Sequence, residues 1–174
     1  MRTRTFILYI AAAPERVWRA LTDPAQTRRY YLGLAVESAW CPGAPIVFRT
    51  ARGPVPDALY GEIIHAAPGA TLIHSLLTGA GADAEAHCWL TWELEPAEPG
   101  LTRVALTCDD LDARPDPERD EAWSRIVSGL KTVLETGTSL GRLQAGEAGH
   151  DGAGGVQGVQ PPAGEGGAAE RERA

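Results

Sequence analysis

Long apolar runs are missing from this sequence, and with them any helix able to span a bilayer, which needs about 20 consecutive apolar residues. Basic residues are in the minority: 16 Lys and Arg stand against 23 Asp and Glu, a net charge of −7. No basic stripe gathers them, which argues against nucleic acid as a partner, because such binding rests on neutralising phosphates. Cysteine is scarce, with Cys41, Cys88 and Cys108 and no Cys-x-x-Cys pair, and His65, His74 and His87 stand at spacings that match no zinc pattern. No metal and no cofactor is expected. A Ser-centred nucleophile elbow, a phosphate loop and a dinucleotide fingerprint are absent as well.

The last 34 residues, Gly141 to Ala174, hold ten glycines and almost no large apolar side chains. Such a segment buries too little surface to offset its ordering entropy, and 141–174 is expected to be a disordered, Gly-rich tail. Its five acids and three arginines leave a charge of −5 on residues 1–140, one domain long enough for a real core. At the other end, Arg2 and Arg4 followed by Phe6 to Ile10 and three alanines imitate a secretion signal. That apolar stretch is short, contains Tyr9 and runs into a helix start at Pro14, so a cytoplasmic protein is expected.

The most legible element lies at 116–140. Trp123, Ile126, Val127, Leu130, Val133, Leu134 and Leu140 recur at helical spacing, with Ser124, Arg125, Ser128, Lys131, Thr132 and Glu135 between them. Asp116-Pro117 is a start signal, and Gly137 or Gly141 a stop. Upstream, Thr3 to Ile10 alternates as a strand. Pro14 opens one short helix and Asp23-Pro24 a second, running towards Tyr30. Strands are predicted over Leu34–Trp40, Ile46–Thr50, Leu59–Ala66, Thr71–Leu77, His87–Glu95 and Leu101–Asp109, with loops over Gly53–Asp57 and Thr78–Ala84. Short turns between successive strands imply an antiparallel sheet and class α+β. In the last hairpin a turn centred near Glu98 pairs Leu94 with Thr102, Trp92 with Val104, Leu90 with Leu106 and Cys88 with Cys108. A one-residue slip would turn every apolar partner outwards; a two-residue slip would not.

Several of these motifs carry a family resemblance. Ala13-Pro14-Glu15-Arg16-Val17-Trp18-Arg19-Ala20-Leu21-Thr22-Asp23-Pro24 resembles the first-helix signature of the SRPBCC (START/Bet v 1-like) superfamily, in the branch named after the C-terminal domain of the activator of Hsp90 ATPase. Ser38 to Pro45, Gly61-Glu62-Ile63-Ile64, Leu90 to Pro96 and Trp123 to Gly137 are similar to later parts of that branch. The resemblance covers about residues 3 to 140. It implies a helix-grip fold: a curved antiparallel sheet of about six to seven strands wrapped round a long C-terminal helix, with two short helices after the first strand. It also implies a cavity between sheet and helix. Members bind lipids, hydrophobic metabolites or polyketides, some are cyclases or hydrolases, and the eponymous co-chaperone stimulates an ATPase. In that co-chaperone a separate domain precedes this one, and none is expected before Thr3 here.

The main expectation is a binding protein for a small hydrophobic molecule, without catalysis. The candidate ligand-binding residues are Trp18, Tyr30, Tyr31, Trp40, Leu76, Trp92, Trp123, Val127 and Leu130. Two rivals stand beside it. One is a cyclase- or hydrolase-like enzyme using His65, His74 or a tyrosine, which a buried polar residue of shifted pKa on the cavity wall would favour. The other is a chaperone- or regulator-associated interaction module, and a homodimer or protein partner is left open. Cys88 and Cys108 are read as reduced core thiols. His65 and His74 are read as ordinary, partly exposed strand residues, and Asp109, Asp110, Asp112, Asp116, Asp120 and Glu121 as a solvated loop and helix cap.

Overall fold

The computed structural model describes residues 1–50, 53–54, 60–78, 85–111 and 115–140. The expected tail at 141–174 and most of the two expected loops lie outside these residues. The chain order is β1 (Arg2–Ile10), α1 (Pro14–Thr22), α2 (Pro24–Tyr30), β2 (Ala35–Glu37), β3 (Pro45–Thr50), β4 (Gly53–Pro54), β5 (Tyr60–Ala67), β6 (Thr71–Thr78), β7 (Glu85–Glu98), β8 (Leu101–Asp110) and α3 (Pro117–Thr136). Every pairing is antiparallel, in the sheet order β1-β8-β7-β6-β5-β3-β2, with the two-residue β4 on β3. This is the helix-grip arrangement, class α+β.

The long helix forms where its caps are written. The Asp116 side chain accepts from the Arg119 N–H, Pro117 occupies the first turn, and Gly137 ends the helix at φ 72°. Trp123, Ile126, Val127, Leu130, Val133 and Leu134 are buried in one core with Cys88, Leu90, Trp92 and Leu94 of β7 and Val104, Leu106 and Cys108 of β8. Leu140, expected on the same stripe, lies beyond the helix and is exposed. Gly129 matters for closeness: a Cβ there would sit 3.0 Å from Tyr30 Cβ, so the missing side chain lets α2 lie against α3. Thr27 fixes the other flank of α2, accepting from Val36 N–H at 2.9 Å and donating to the Pro24 carbonyl at 3.2 Å.

Three expectations need correction. The predicted strand Leu34–Trp40 shrinks to three residues. Trp40 takes a left-handed backbone (φ 54°) and its N–H donates to Ser38 Oγ at 3.1 Å, a local turn that ends pairing. The last hairpin is slipped by two residues: Leu94 faces Val104, Trp92 faces Leu106, Leu90 faces Cys108 and Cys88 faces Asp110. The cause is a bulge between Pro96 and Glu98 that moves the turn to Pro99-Gly100, where Gly100 supplies φ 76°. Inner and outer faces are unchanged, as even slips require.

The acidic connection is the third correction. Asp110 is only 1 % exposed. Its carboxylate accepts from Arg4 and, at 3.0 Å, from Arg119 Nη1; Arg119 also reaches Asp116 at 2.9 Å. Asp120 pairs with Arg2 at 2.9 Å and with Arg4. Rather than a solvated loop, Asp110 and Asp120 join β1, β8 and α3 through a shared ion network, while Asp116 caps α3 as expected and Asp112 lies outside the described residues. Farther along β1, Lys131 Nζ donates to the Tyr9 carbonyl at 2.5 Å and Glu135 accepts from the Ala11 N–H at 2.9 Å.

Candidate functional site

The inner face of the sheet, α1 and α2 enclose a small cavity. Its walls are Leu21 of α1, Tyr30 and Tyr31 at the end of α2, Val36, Trp40, Ile46, Phe48, Leu72, His74 and Trp92. The free volume is about 10 Å³, room for roughly one water molecule. The rings interlock: Tyr31 meets Phe48 at 5.6 Å, Tyr30 at 6.2 Å and Trp123 at 6.0 Å, the last edge-to-face at 86°. Tyr30 Oη donates to the Ala20 carbonyl at 3.0 Å. Tyr31 Oη and Trp123 Nε1 are buried and have no hydrogen-bond partner. Burial pushes both tyrosine pKa values well above the ordinary range, so the phenols stay protonated.

Tyr30, Tyr31, Trp40 and Trp92 of the expected set therefore come together on this wall. The others lie elsewhere. Trp123 touches it through Tyr31, Leu76 and Leu130 are packed in the core, and Trp18 on α1 is half-buried against it. Val127 lines a separate, open groove of about 440 Å³ between β1 and α3, with Phe6, Ile7, Leu8, Ser124, Ser128, Lys131 and Thr132.

His74 is the residue that sequence reasoning misjudged. It is 3 % exposed, while His65 is exposed. A bulge between Ile63 and His65 pairs His74 with Ile63 and His65 with Ile73, so the two histidines neither face each other nor share a side of the sheet. His74 Nδ1 lies 3.0 Å from the Ser75 carbonyl oxygen. A carbonyl can only accept, so Nδ1 carries the proton and Nε2 keeps its lone pair. Burial disfavours the imidazolium and holds the His74 pKa down at about 4 against an ordinary 6.5, with the Ser75 hydrogen bond opposing in part.

That shift has a measurable consequence. Between pH 6.5 and about 4 the unfolded chain binds a proton at His74 that the folded chain refuses. Stability is therefore complete above this window and falls as the pH drops through it. At about 1.4 kcal/mol per pH unit the loss is on the order of 2–3 kcal/mol at pH 4. In a His74→Phe protein that part of the acid sensitivity should vanish, read as the difference between the two urea-midpoint profiles. Parallel profiles would show that His74 titrates normally.

The cysteines are free, Cys41 exposed and the other two buried. Burial, then the Asp110 carboxylate opposite, raises the Cys88 thiol to about 12; burial and the neighbouring Cys88 push Cys108 higher still. A thiol reagent should consume one equivalent from the native protein and three after unfolding. Fewer than three in denaturant would reveal a disulfide. Among the described residues no group of three or more His, Cys, Asp or Glu side chains could hold a metal, and no helix is long and apolar enough to cross a membrane.

Comparison with known proteins adds the lineage. The model of the family described as Activator of Hsp90 ATPase homolog 1-like protein matches residues 11–135. The chain belongs to this family. No curated protein matches it. Among solved structures, the Aha1 dimer from Colwellia psychrerythraea is similar at 23% identity and a TM-score of 0.64, covering 79% of this chain and 98% of that one. An Hsp90 activator from Plasmodium falciparum has 15% identity, a TM-score of 0.62, and covers 77% and 96%. CalU16 from Micromonospora echinospora has 17% identity, a TM-score of 0.60, and covers 78% of each chain. At these identities the likeness speaks for the shared fold of this Activator of Hsp90 ATPase homolog 1-like domain.

Proposed function

We propose that this domain binds a small hydrophobic molecule between the sheet and its helices, at the Tyr30–Tyr31–Trp40–Trp92 wall. One observation carries the reading: an aromatic wall surrounds a residual cavity whose cover is held in unfavourable backbone geometry. Leu32 and Trp40, the non-glycine residues with positive φ among those described, bracket β2 on that side. Left-handed geometry costs an L-residue roughly 1–2 kcal/mol, and such cost concentrates at binding and switching segments. Opening the segment from Leu32 to Trp40 would enlarge the cavity. No membrane and no nucleic acid is invoked, and a cytoplasmic location fits the buried free thiols.

The test is a panel of uncharged hydrophobic compounds followed by thermal unfolding and native mass spectrometry. A binder at 100 times its Kd stabilises by about 2.7 kcal/mol, a rise of roughly 5–10 °C for a domain of this size. A panel that gives neither a mass shift nor a Tm shift would sink the reading.

His74 favours one second reading, an enzyme that moves a proton at this wall. It is a buried polar residue with a shifted pKa on the cavity wall. Its pKa of about 4 makes it a weak base at neutral pH, however, and its Nδ1 is oriented by a carbonyl rather than a carboxylate. Hydrogen bonding to a ligand suits it better than proton abstraction. The interaction-module reading rests on a small patch: exposed Ile7 and Tyr9 are neighbours on the outer face of β1, while exposed Trp89 stands apart on β7 opposite Asp109.

A further inference from the structure

We propose that β1 is a self-association edge, along which two copies of this chain join their sheets about a two-fold axis. The pairing is antiparallel and centred on Phe6, so that Thr5 of each copy lies opposite Ile7 of the other. It is independent of the small-ligand reading, whose cavity wall is built at the β2 and β3 end of the sheet.

Among the described residues β1 pairs with β8 alone, which leaves its other side as a sheet edge. Proteins commonly blunt such an edge with a proline, a bulge, a lysine or extreme shortness. β1 has none of these: its nine residues include no proline and no lysine, and the register with β8 is unbroken from Arg2 to Ile10. The open backbone groups follow from the alternation of an antiparallel ladder. The Tyr9 carbonyl turns away from β8 to accept from Lys131. Thr5 and Ile7, two and four residues earlier, therefore direct their N–H and C=O groups at the edge as well. In the proposed register each exchanges two hydrogen bonds with the other copy.

Side chains on the inner face suit the same partner. Phe6 and Leu8 are half-buried in the groove of about 440 Å³ that Val127, Ser124, Ser128 and Thr132 of α3 complete. The short hydroxyl side chains leave that space open. A second β1 at the usual strand spacing of about 4.8 Å would send its own Phe6 and Leu8 into it. The two Phe6 rings would then form an aromatic cross-strand pair. On the outer face Ile7, 55 % exposed, would gain a neighbour in Thr5 of the other copy.

The charges favour a second copy over a charged peptide. Every cation along the edge is already matched: Arg2 by Asp120, Arg4 by Asp110 and Lys131 by Glu135. A foreign acidic segment would find no free cation here. Two copies also complement each other, because α3 follows β1 from Asp120 beside Arg2 to Lys131 beside Tyr9. The two-fold axis makes the helices antiparallel, so the acidic start of one, with Glu118 and Glu121, lies towards the Lys131 end of the other. Growth stops at two, since the remaining edge strand, β2, has three residues.

Sedimentation equilibrium of the full chain over a wide concentration range tests the proposal. The wild type should show a reversible monomer–dimer equilibrium with no larger species. Ile7→Lys puts a charge at the centre of the edge, and Ser128→Arg fills the groove. Both positions are exposed, so each variant should keep the wild-type Tm. The dimer Kd should rise at least about tenfold in each. The place of contact is read with a spin label on Thr5→Cys in a Cys41→Ser background, the other two cysteines being buried. Labels in the dimer should lie within about 20 Å of each other, since the paired strands are only about 4.8 Å apart. A chain that stays monomeric at every concentration would overturn the inference. So would polymers in place of dimers, a Kd indifferent to both substitutions, or labels well beyond that distance.

Discussion

Replacing Asp110 by alanine is expected to destabilise the domain by about 3–5 kcal/mol, as removal of one member of a buried ion pair commonly does. The carboxylate is 1 % exposed and holds two guanidinium groups, Arg4 from β1 and Arg119 from α3. Without it those two cations, 11 % and 25 % exposed, are left beside each other. Arg4 keeps Asp120 and Arg119 keeps Asp116, so the lower end of the range is the better figure. Urea unfolding at pH 7 reads the change as a lower midpoint. A loss under 1 kcal/mol would show that water screens the network. Removing the cations too, as in Arg4→Met with Arg119→Met on the alanine background, should recover much of the loss, because the penalty comes from uncompensated charge.

Gly61→Ala should cost about 3 kcal/mol, for steric reasons. A Cβ at position 61 would lie 2.1 Å from the Ser75 carbonyl oxygen and 2.3 Å from Ile46 Cγ2. The first obstacle is backbone and the second belongs to a fully buried side chain, so neither can swing aside. β5 would have to move off β6 and β3 together. The same Ser75 carbonyl holds His74 Nδ1, and Ser75 Oγ accepts the Glu62 N–H at 3.0 Å, so the disturbance reaches the cavity wall. A fall in Tm of roughly 6–12 °C follows for a domain of this size. A variant that melts like the wild type would mean that the two strands can separate freely here.

Much of this architecture is legible in the sequence, because periodicity and caps are local. The stripe of α3, its Asp116 start and the Asp23-Pro24 junction are each written within a few residues. The parity of the last hairpin is legible for the same reason. Its register depends on where one extra residue bulges at Pro96–Glu98, and alternation does not record that. His74 illustrates the limit more sharply. Its neighbours in sequence look like those of His65, and only the bulge in β5 sends one ring inwards and leaves the other in water. Asp110 sits in an acidic run that reads as solvated, since the arginines that neutralise it come from Arg4, 106 positions away, and from the helix beyond. Of the aromatic residues on the cavity wall, Tyr30, Tyr31, Trp40 and Trp92 are named from the sequence and Phe48 is omitted, since its strand carries no signal beyond alternation. Which of them share one wall, and which merely fill the core, is decided by the path from α2 through Trp40, and no short-range pattern encodes it.

The polar contacts along β1 also bear on how the protein behaves at high concentration. β1 and β2 end the sheet, and exposed edges invite strands from other molecules. β2 offers three residues, too few for a persistent foreign ladder. On β1 the Tyr9 carbonyl is occupied by Lys131, the only lysine in the chain, while Arg2 and Arg4 tie the opposite end to Asp120. The helix thus fastens the border strand at both ends, through its backbone at Tyr9 and Ala11 and through the side chains of Arg2 and Arg4.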